Sequence, residues 1–146
     1  MIDAKLFGKT YPPMRYVVGS EKIREYCRAI GENNPLCLDE EAAKKGPYGA
    51  IVAPPTFAVV YSGEPVAQVL FDKELALNLM MLVHGEQEFV FHKLVKHNDT
   101  VISTGKFVKA EARKQNLVVT AEVESKVNGE LVTTAIFTFV VRGGAA

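Results

Sequence analysis

The chain has 146 residues, of which 48% are hydrophobic and 23% charged, so it is long enough for one domain and too short for two ordinary ones. Lys plus Arg and Asp plus Glu number 17 each, and no basic run appears. This composition argues against disorder and nucleic-acid binding, and no apolar stretch is long enough to span a bilayer, so we expect neither nucleic acid nor membrane as a partner. Residues 1–9 carry Asp3 and Lys5 instead of the apolar core of a secretory signal, which predicts a cytoplasmic protein.

The first third of the chain is predicted to be mostly helical. Met14 to Val18 forms a short strand, and a helix then runs from Ser20, its predicted cap, to Gly31. The apolar residues of this helix recur at helical spacing and share one face: Ile23, Tyr26, Cys27 and Ile30. After a polar loop, a second short helix is predicted between its N-cap Asp39 and Gly46.

A central buried helix is predicted from the segment Ala53–Tyr61. This segment opens with two prolines, which the start of a helix tolerates, and is then almost wholly apolar. The sequence Gly63-Glu64-Pro65 is expected to break the helix, with one or two further turns over Val66–Phe71.

The second half of the chain has the two-residue period of strands, which we place at residues 88–92, 100–108, 118–127 and 131–141. Asn128-Gly129 predicts a type I′ hairpin turn between the last two. The last strand is apolar on both faces, so we expect it to be central or covered by a partner. The overall prediction is an α+β fold, a curled antiparallel sheet around one apolar helix, forming a single domain over residues 1–146.

Three segments carry a resemblance to a known family. Ile30–Asp39, which reads IGENNPLCLD, resembles the signature loop of the MaoC-like dehydratases, which include the (R)-specific enoyl-CoA hydratases. The resemblance continues in Tyr48–Phe57 and His84–Phe89, and it is greatest to the N-terminal-type branch, which includes substrate-binding subunits of heteromeric dehydratases. It implies a hot dog fold, an acyl-CoA or acyl-ACP thioester as substrate, no cofactor, and either a homodimer or a heterodimer with a related subunit.

The loop departs from the family pattern at both catalytic positions. In active members it reads Gly-Asp-x-Asn-Pro-x-His, and the Asp and His activate the water that adds to a 2-enoyl thioester. Here the Asp position is Glu32 and the His position is Cys37. An ordinary thiol has a pKa of about 8.5 and is mostly protonated near neutrality, so it is a poor replacement for histidine. These two positions are therefore the candidate catalytic residues, in a degenerate form.

A third departure lies at the start of the buried helix. Active relatives carry a glycine there, whose N–H helps to hold the thioester oxygen, whereas the position aligned with it is Pro55, which has no N–H. Thr56 could still offer its own amide or hydroxyl. The resemblance implies that the substrate-binding residues are Asn34, Pro54, Pro55, Thr56, His84 and Gln87.

Several interpretations stay open at this stage. Cys37 is either a thiolate base or nucleophile, or a small residue filling the space of a histidine, and Glu32 is either a working carboxylate or a loop residue. The histidines His84, His92 and His97 have no ligand spacing, so we expect no metal. Three functions compete: the acyl-binding subunit of a heteromeric hydratase or dehydratase, a self-sufficient homodimeric hydratase or thioesterase, and a non-catalytic acyl-CoA-binding protein.

Two aromatic residues in the C-terminal half of the chain could lie in the core or on a binding surface. Phe89 and Phe91 share one face of a predicted strand, and we expect them to lie in the core rather than to form a stacking platform.

Overall fold

A computed structural model describes residues 2–145 of the chain. Five antiparallel strands form one sheet in the order β1-β3-β4-β5-β2. The strands are β1 (Met14–Val17), β2 (Leu82–Phe91), β3 (Thr100–Arg113), β4 (Asn116–Val127) and β5 (Glu130–Val141). The helices are α1 (Ser20–Ile30), α2 (Pro35–Leu38), α3 (Glu40–Lys45) and α4 (Ala58–Leu70), with single 3₁₀ turns at Ala4–Leu6, Pro55–Phe57 and Leu79–Met81. The predicted α+β class, a curled antiparallel sheet around a central helix, is confirmed.

The hairpin between β4 and β5 forms as predicted. Asn128 has φ 50° and Gly129 has φ 80°, so both residues occupy the left-handed region that a type I′ turn requires. The turn places β5 next to β4, and β2 pairs along its other side. Because β5 lies between two strands, its backbone is paired on both sides, and the predicted central position of the last strand is confirmed.

The helix α4 differs from the prediction, because it runs without a break through Pro65. Proline removes one helical hydrogen bond, to the Tyr61 carbonyl, and normally ends or kinks a helix. Here close packing compensates: a Cβ placed on Gly105 of β3 would lie 2.4 Å from the Pro65 carbonyl oxygen, so helix and strand approach each other as only glycine permits. We attribute the continuity of α4 to this contact with β3, which the local sequence around Pro65 does not reveal.

Smaller differences affect the N-terminal half. Ser20 is the first residue of α1 and not its cap, since Gly19 occupies that position without a side-chain bond. Ile30 is 49% exposed, so the apolar face of α1 reaches the core through Ile23 and Cys27. The one-turn helix α2 was not predicted, and it begins at Pro35, the last residue of the polar loop expected over residues 32–35.

Two apolar clusters lie between the sheet and the helices. The first surrounds the N-terminal half of α4, and its members include Ile23, Cys27, Cys37, Ile51, Val52, Phe57, Ala58, Tyr61, Val95, Val101 and Val132. The second surrounds the C-terminal half of α4, and its members include Val66, Val69, Phe107, Leu117, Val119, Ala135, Phe137 and Phe139. Within residues 2–145 no helix is both long and apolar enough to cross a membrane.

A polar cluster anchors the chain near the C-terminal end of α4. The Tyr11 hydroxyl donates to Asp72 Oδ2 at 2.6 Å, and Lys9 Nζ lies 2.7 Å from the same oxygen and also contacts Glu74. Burial alone would raise the pKa of Asp72, but the hydrogen bonds from Lys9 and Tyr11 bring it below its usual value. The ionised carboxylate thus ties the N-terminal segment to the end of the central helix.

Candidate functional site

A cleft of about 240 Å³ opens beside the N-terminal end of α4. One wall is the segment that leads into α4, and the other is the end of β2 with the residues that follow it. The lining is mainly apolar: Ala53, Pro54, Pro55, Phe57, Ala58, Tyr61, Phe91, His92, Lys93, Leu94, Val95 and Thr133. A concave apolar site with few polar groups is the usual form of a small-molecule site in a protein.

Two buried hydroxyl groups lie in this lining. The Tyr61 and Thr133 oxygens are 2.7 Å apart, and the two residues are 4% and 1% exposed. Burial raises the pKa of Tyr61, while the hydrogen bond with Thr133 lowers it in part, so the phenol stays protonated at neutral pH. The bond joins the central helix to β5 inside the cleft.

The entry to α4 is built from two prolines. Pro54 is extended, with φ −60° and ψ 149°, and Pro55 begins the 3₁₀ turn that leads into the helix. Neither residue has an N–H to offer a ligand. The next side chain, Thr56, is already engaged, because its Oγ1 accepts a hydrogen bond of 2.9 Å from the Tyr26 hydroxyl. The prolines therefore form an apolar wall of the cleft and supply no oxyanion donor of their own.

The opposite wall carries further polar groups of the cleft, and these are also paired. His92 Nε2 lies 3.2 Å from Thr134 Oγ1, and Lys93 forms an ion pair with Glu130. The backbone N–H groups of His92 and Lys93 both bond to the Val132 carbonyl, at 2.8 and 3.2 Å. These contacts hold the residues after β2 against β5 and keep the wall in place.

The loop that holds the two dyad positions is organised by local hydrogen bonds. Gly31 ends α1 with φ 73°, a left-handed conformation that favours glycine. Glu32 Oε1 accepts the N–H of Asn34 at 2.9 Å, and Asn34 Oδ1 accepts the N–H of Leu36 at 3.0 Å, which caps α2. Asn34 thus serves as a helix cap, and a carboxylate oxygen of Glu32 stabilises the turn before it.

Cys37 points into the first apolar cluster and is only 3% exposed. Burial, together with the neighbouring Cys27 and Glu32, raises its pKa to about 11. Cys27 is also buried, and its pKa is likewise raised by burial. Both cysteines are free thiols. At neutral pH the group at the histidine position is a protonated thiol with almost no exposure to solvent.

The two β2 residues expected to bind substrate lie away from the cleft. The His84 ring stacks near Phe137 and Phe139, with centroid distances of 5.8 and 5.0 Å, and its Nε2 is 3.1 Å from the Glu86 carbonyl oxygen. Gln87 Nε2 donates to the Ile136 carbonyl at 3.1 Å. The Gln87 Oε1 atom is buried without a partner among the described residues.

Among the sequence-predicted site residues, the structure thus brings Pro54 and Pro55 together in the cleft. Six others are placed outside its lining: Glu32, Asn34, Cys37, Thr56, His84 and Gln87.

Sequence reasoning missed several cleft residues, chiefly Tyr61, Thr133 and the turn after β2. A signal existed for two of them, because Tyr61 and Thr133 are hydroxyl residues on otherwise apolar faces of a helix and a strand. The sequence of residues 92–95, which follow β2, has no feature that indicates a position in the cleft. Phe91 was expected in the core, yet it is 48% exposed at the cleft, stacked on the half-buried Phe89 at 5.7 Å.

Comparison with known proteins assigns this architecture to a family. The model of the FAS1-like dehydratase domain region matches residues 5–135. A UPF0336 protein of Saccharopolyspora erythraea is 42% identical over 148 residues, which cover 99% of this chain and 94% of that protein.

Solved structures agree with this assignment. A chain of the C-terminally truncated HadBC complex, a (3R)-hydroxyacyl-ACP dehydratase of Mycobacterium tuberculosis, is 30% identical, with a TM-score of 0.79 over 92% of this chain and 96% of that one. The (R)-hydratase of A. caviae, involved in PHA biosynthesis, has the same fold, with a TM-score of 0.73 at 16% identity over 91% of this chain and 94% of that one. With a family model matched over most of its length, the chain belongs to the hot dog dehydratases, and its resemblance to the MaoC-like proteins is confirmed.

Proposed function

We propose that this chain is the acyl-chain-binding subunit of an (R)-specific enoyl-thioester hydratase or 3-hydroxyacyl-thioester dehydratase. A sister subunit with an intact Asp and His would carry out the proton transfers. The observation that carries the proposal is the state of Cys37, a buried and protonated thiol where active relatives have a histidine. The chain thus combines an apolar cleft with two dyad positions, Glu32 and Cys37, that do not provide the acid–base pair of active relatives.

Proton transfer needs a group that gains and loses a proton near the working pH. The pKa of Cys37, about 11, leaves only a very small thiolate fraction at pH 7. Glu32 keeps a carboxylate, but one of its oxygens accepts the Asn34 N–H within the loop. Pro54 and Pro55 offer no N–H to a developing oxyanion. These features support the view that the catalytic groups come from another chain.

The cleft supports acyl binding by its chemistry. Its walls include the apolar side chains of Pro54, Phe57, Phe91 and Leu94, and its polar side chains have hydrogen-bond or ionic partners. Burying a methylene group in such a site is worth about 0.8 kcal/mol, which favours a hydrocarbon chain over a polar ligand. A thioester carried by either CoA or acyl carrier protein would place its acyl chain here and leave its carrier outside.

The free edge of β2 supports association with a second hot dog chain. Within residues 2–145, β2 is paired on one side only, with β5, and its exposed residues include Val83, Val90 and Phe91. An unpaired apolar edge is a natural site for strand pairing with another chain. The relative HadBC is a complex, which agrees with a heteromer in which one chain binds and the other reacts.

The decisive experiment follows the loss of enoyl-thioester absorbance after adding a 2-enoyl-CoA. The purified chain is assayed alone and then mixed with a sister chain that carries the intact Gly-Asp-x-Asn-Pro-x-His loop. We expect turnover by the mixture at least ten times that of either chain alone. Turnover by this chain alone that is lost in the Glu32→Ala variant would overturn the proposal in favour of a self-sufficient enzyme. Tight acyl-CoA binding with no gain in turnover would identify a non-catalytic binding protein.

A further inference from the structure

Tyr61 occupies a boundary along the central helix. It belongs to the first apolar cluster and lines the cleft, whereas Val66, slightly more than one turn further on, belongs to the second cluster. Among the residues of α4, only Ala58 and Tyr61 line the cleft. Tyr61 is 4% exposed, whereas Phe91 and Leu94 of the same lining are 48% and 42% exposed, so Tyr61 lies at the buried end of the cleft.

The ring is held in this position from two sides. Its hydroxyl is bonded to Thr133 of β5 at 2.7 Å, and its ring is tilted by 59° to the Phe57 ring, with centroids 6.3 Å apart. Phe57 and Thr133 are themselves almost fully buried. A ring fixed by a hydrogen bond at its tip and by packing at its base cannot turn aside without leaving a buried Thr133 hydroxyl unpaired.

The cleft that ends at this ring has a definite capacity. An apolar cavity of about 150 Å³ holds a benzene molecule, so a cleft of about 240 Å³ has room for roughly ten carbon atoms. Tyr61 also lines a second, smaller cavity of about 70 Å³, whose other walls include Tyr16, Val60 and Pro65, so this one side chain borders both spaces. A longer chain can enter only if the ring is displaced.

We propose that Tyr61, fixed by Thr133, sets the maximum length of the acyl chain that this subunit holds, at roughly ten carbons. This inference rests on the proposed acyl-binding function and names its specificity-determining residue. Tyr61 touches the far end of the chain and has no part in proton transfer.

The test measures the dissociation constants of saturated acyl-CoAs, from butyryl-CoA to tetradecanoyl-CoA, by calorimetry on the full chain. Saturated thioesters cannot be hydrated, so binding is measured without turnover. For the wild type, affinity should rise about fourfold per added methylene and stop rising at roughly ten carbons. In Tyr61→Leu, which removes the ring, the rise should continue for at least two more carbons.

Controls separate the size of the ring from its hydroxyl and from general effects. Tyr61→Phe keeps the ring but loses the bond to Thr133, so its limit should lie between those of the wild type and Tyr61→Leu. Tyr48→Leu makes the same exchange as the test variant at an exposed tyrosine outside the cleft lining, and it should also keep the limit. Tyr61→Met provides a second variant if the leucine protein does not fold, because methionine adapts to irregular spaces.

The outcomes distinguish the two proposals. A limit that stays at the wild-type length in a folded Tyr61→Leu or Tyr61→Met protein would overturn the role of Tyr61 while leaving acyl binding intact. A wild-type chain that binds no acyl-CoA of any length would overturn the acyl-binding function and the length limit together.

Discussion

The hydrogen bond between the Tyr61 and Thr133 hydroxyls should contribute both to the stability of the fold and to the proposed limit on acyl-chain length. Each is almost fully buried, and each is the other's hydrogen-bond partner at 2.7 Å. In Tyr61→Phe or Thr133→Val, one buried hydroxyl is left without a partner, which costs about 1–3 kcal/mol. We expect either variant to lower the free energy of unfolding by that amount, as measured by urea denaturation.

The double variant Tyr61→Phe, Thr133→Val provides the control for this bond. Because it removes both hydroxyls and leaves none unpaired, its loss should be clearly smaller than the sum of the two single losses. Strictly additive losses would contradict the view that the two groups act as a pair.

The buried thiols lead to a prediction of reactivity. The pKa of Cys37 is about 11, and burial also raises that of Cys27, so at pH 8 the folded chain presents almost no thiolate. We expect a disulfide reagent such as DTNB to react on the order of 10²-fold more slowly with the native chain than with the urea-unfolded chain. Raising the pH above 8 should speed the reaction of the native chain, because the thiolate fraction increases as the pH approaches the raised pKa. Fast reaction of either thiol at pH 8 in the native chain would contradict this prediction.

How far the site could be predicted from sequence depends on how each residue works. Glu32 and Cys37 were found because they break a family pattern, but their surroundings depend on folding: the pattern does not show that Cys37 is buried among the residues of α1 and the segment before α4. The last strand is apolar on both faces, so its two-residue period did not show that Thr133 is buried. Its partner Tyr61 is 72 positions away in the chain, and no local pattern pairs them.

At the scale of the element, the contact of α4 with β3 explains why the helix continues through Pro65. A Cβ at Gly105 would lie 2.4 Å from the Pro65 carbonyl oxygen, so Gly105→Ala must push the helix away from the sheet. We expect a loss of about 1–3 kcal/mol in the free energy of unfolding, as for other overpacked interiors.

Gly63 provides the matched control within the same helix. A Cβ at Gly63 would meet nothing within 4 Å, and alanine is favoured over glycine in a helix by about 0.5–1 kcal/mol. Gly63→Ala should therefore stabilise the chain slightly. Thermal and urea denaturation compare the two variants. If Gly105→Ala lowers the free energy of unfolding and Gly63→Ala raises it, the close contact between helix and strand at Gly105, and not the exchange of glycine for alanine as such, causes the loss.

The elements that could be predicted from sequence are those determined by local patterns. The Asn128-Gly129 turn has the two positive φ angles that its residues indicate, and Asp39 caps α3 through bonds to the N–H groups of Glu41 and Ala42. The continuity of α4 was missed, because it depends on a glycine 40 positions away from Pro65. The strand β2 was also underestimated, since it starts at Leu82 and not Glu88, and pairing with β5 supports its polar first half.

At the scale of the whole molecule, the two edges of the sheet differ. The edge strand β1 has only four residues, whereas β2 at the opposite edge has ten and lies beside the cleft. A long unpaired edge is the one that can join a second sheet. Pairing at β2 would also bring a second chain next to the cleft residue Phe91, which a shared active site requires.

This asymmetry predicts which edge forms the complex. Val90 on β2 and Val17 on β1 are similarly exposed, at 43% and 47%, so lysine at either position should leave the fold intact. Val90→Lys should weaken assembly with the dyad-bearing sister chain by at least tenfold, because pairing would bury an unpaired charge there. Val17→Lys should assemble normally, since β1 stays outside the contact. Sedimentation velocity of the mixtures measures both, and equal behaviour of the two variants would place the interface elsewhere. If only the β2 variant fails to assemble and hydratase activity of the mixture falls with it, the free edge of β2 is what brings the catalytic chain to this cleft.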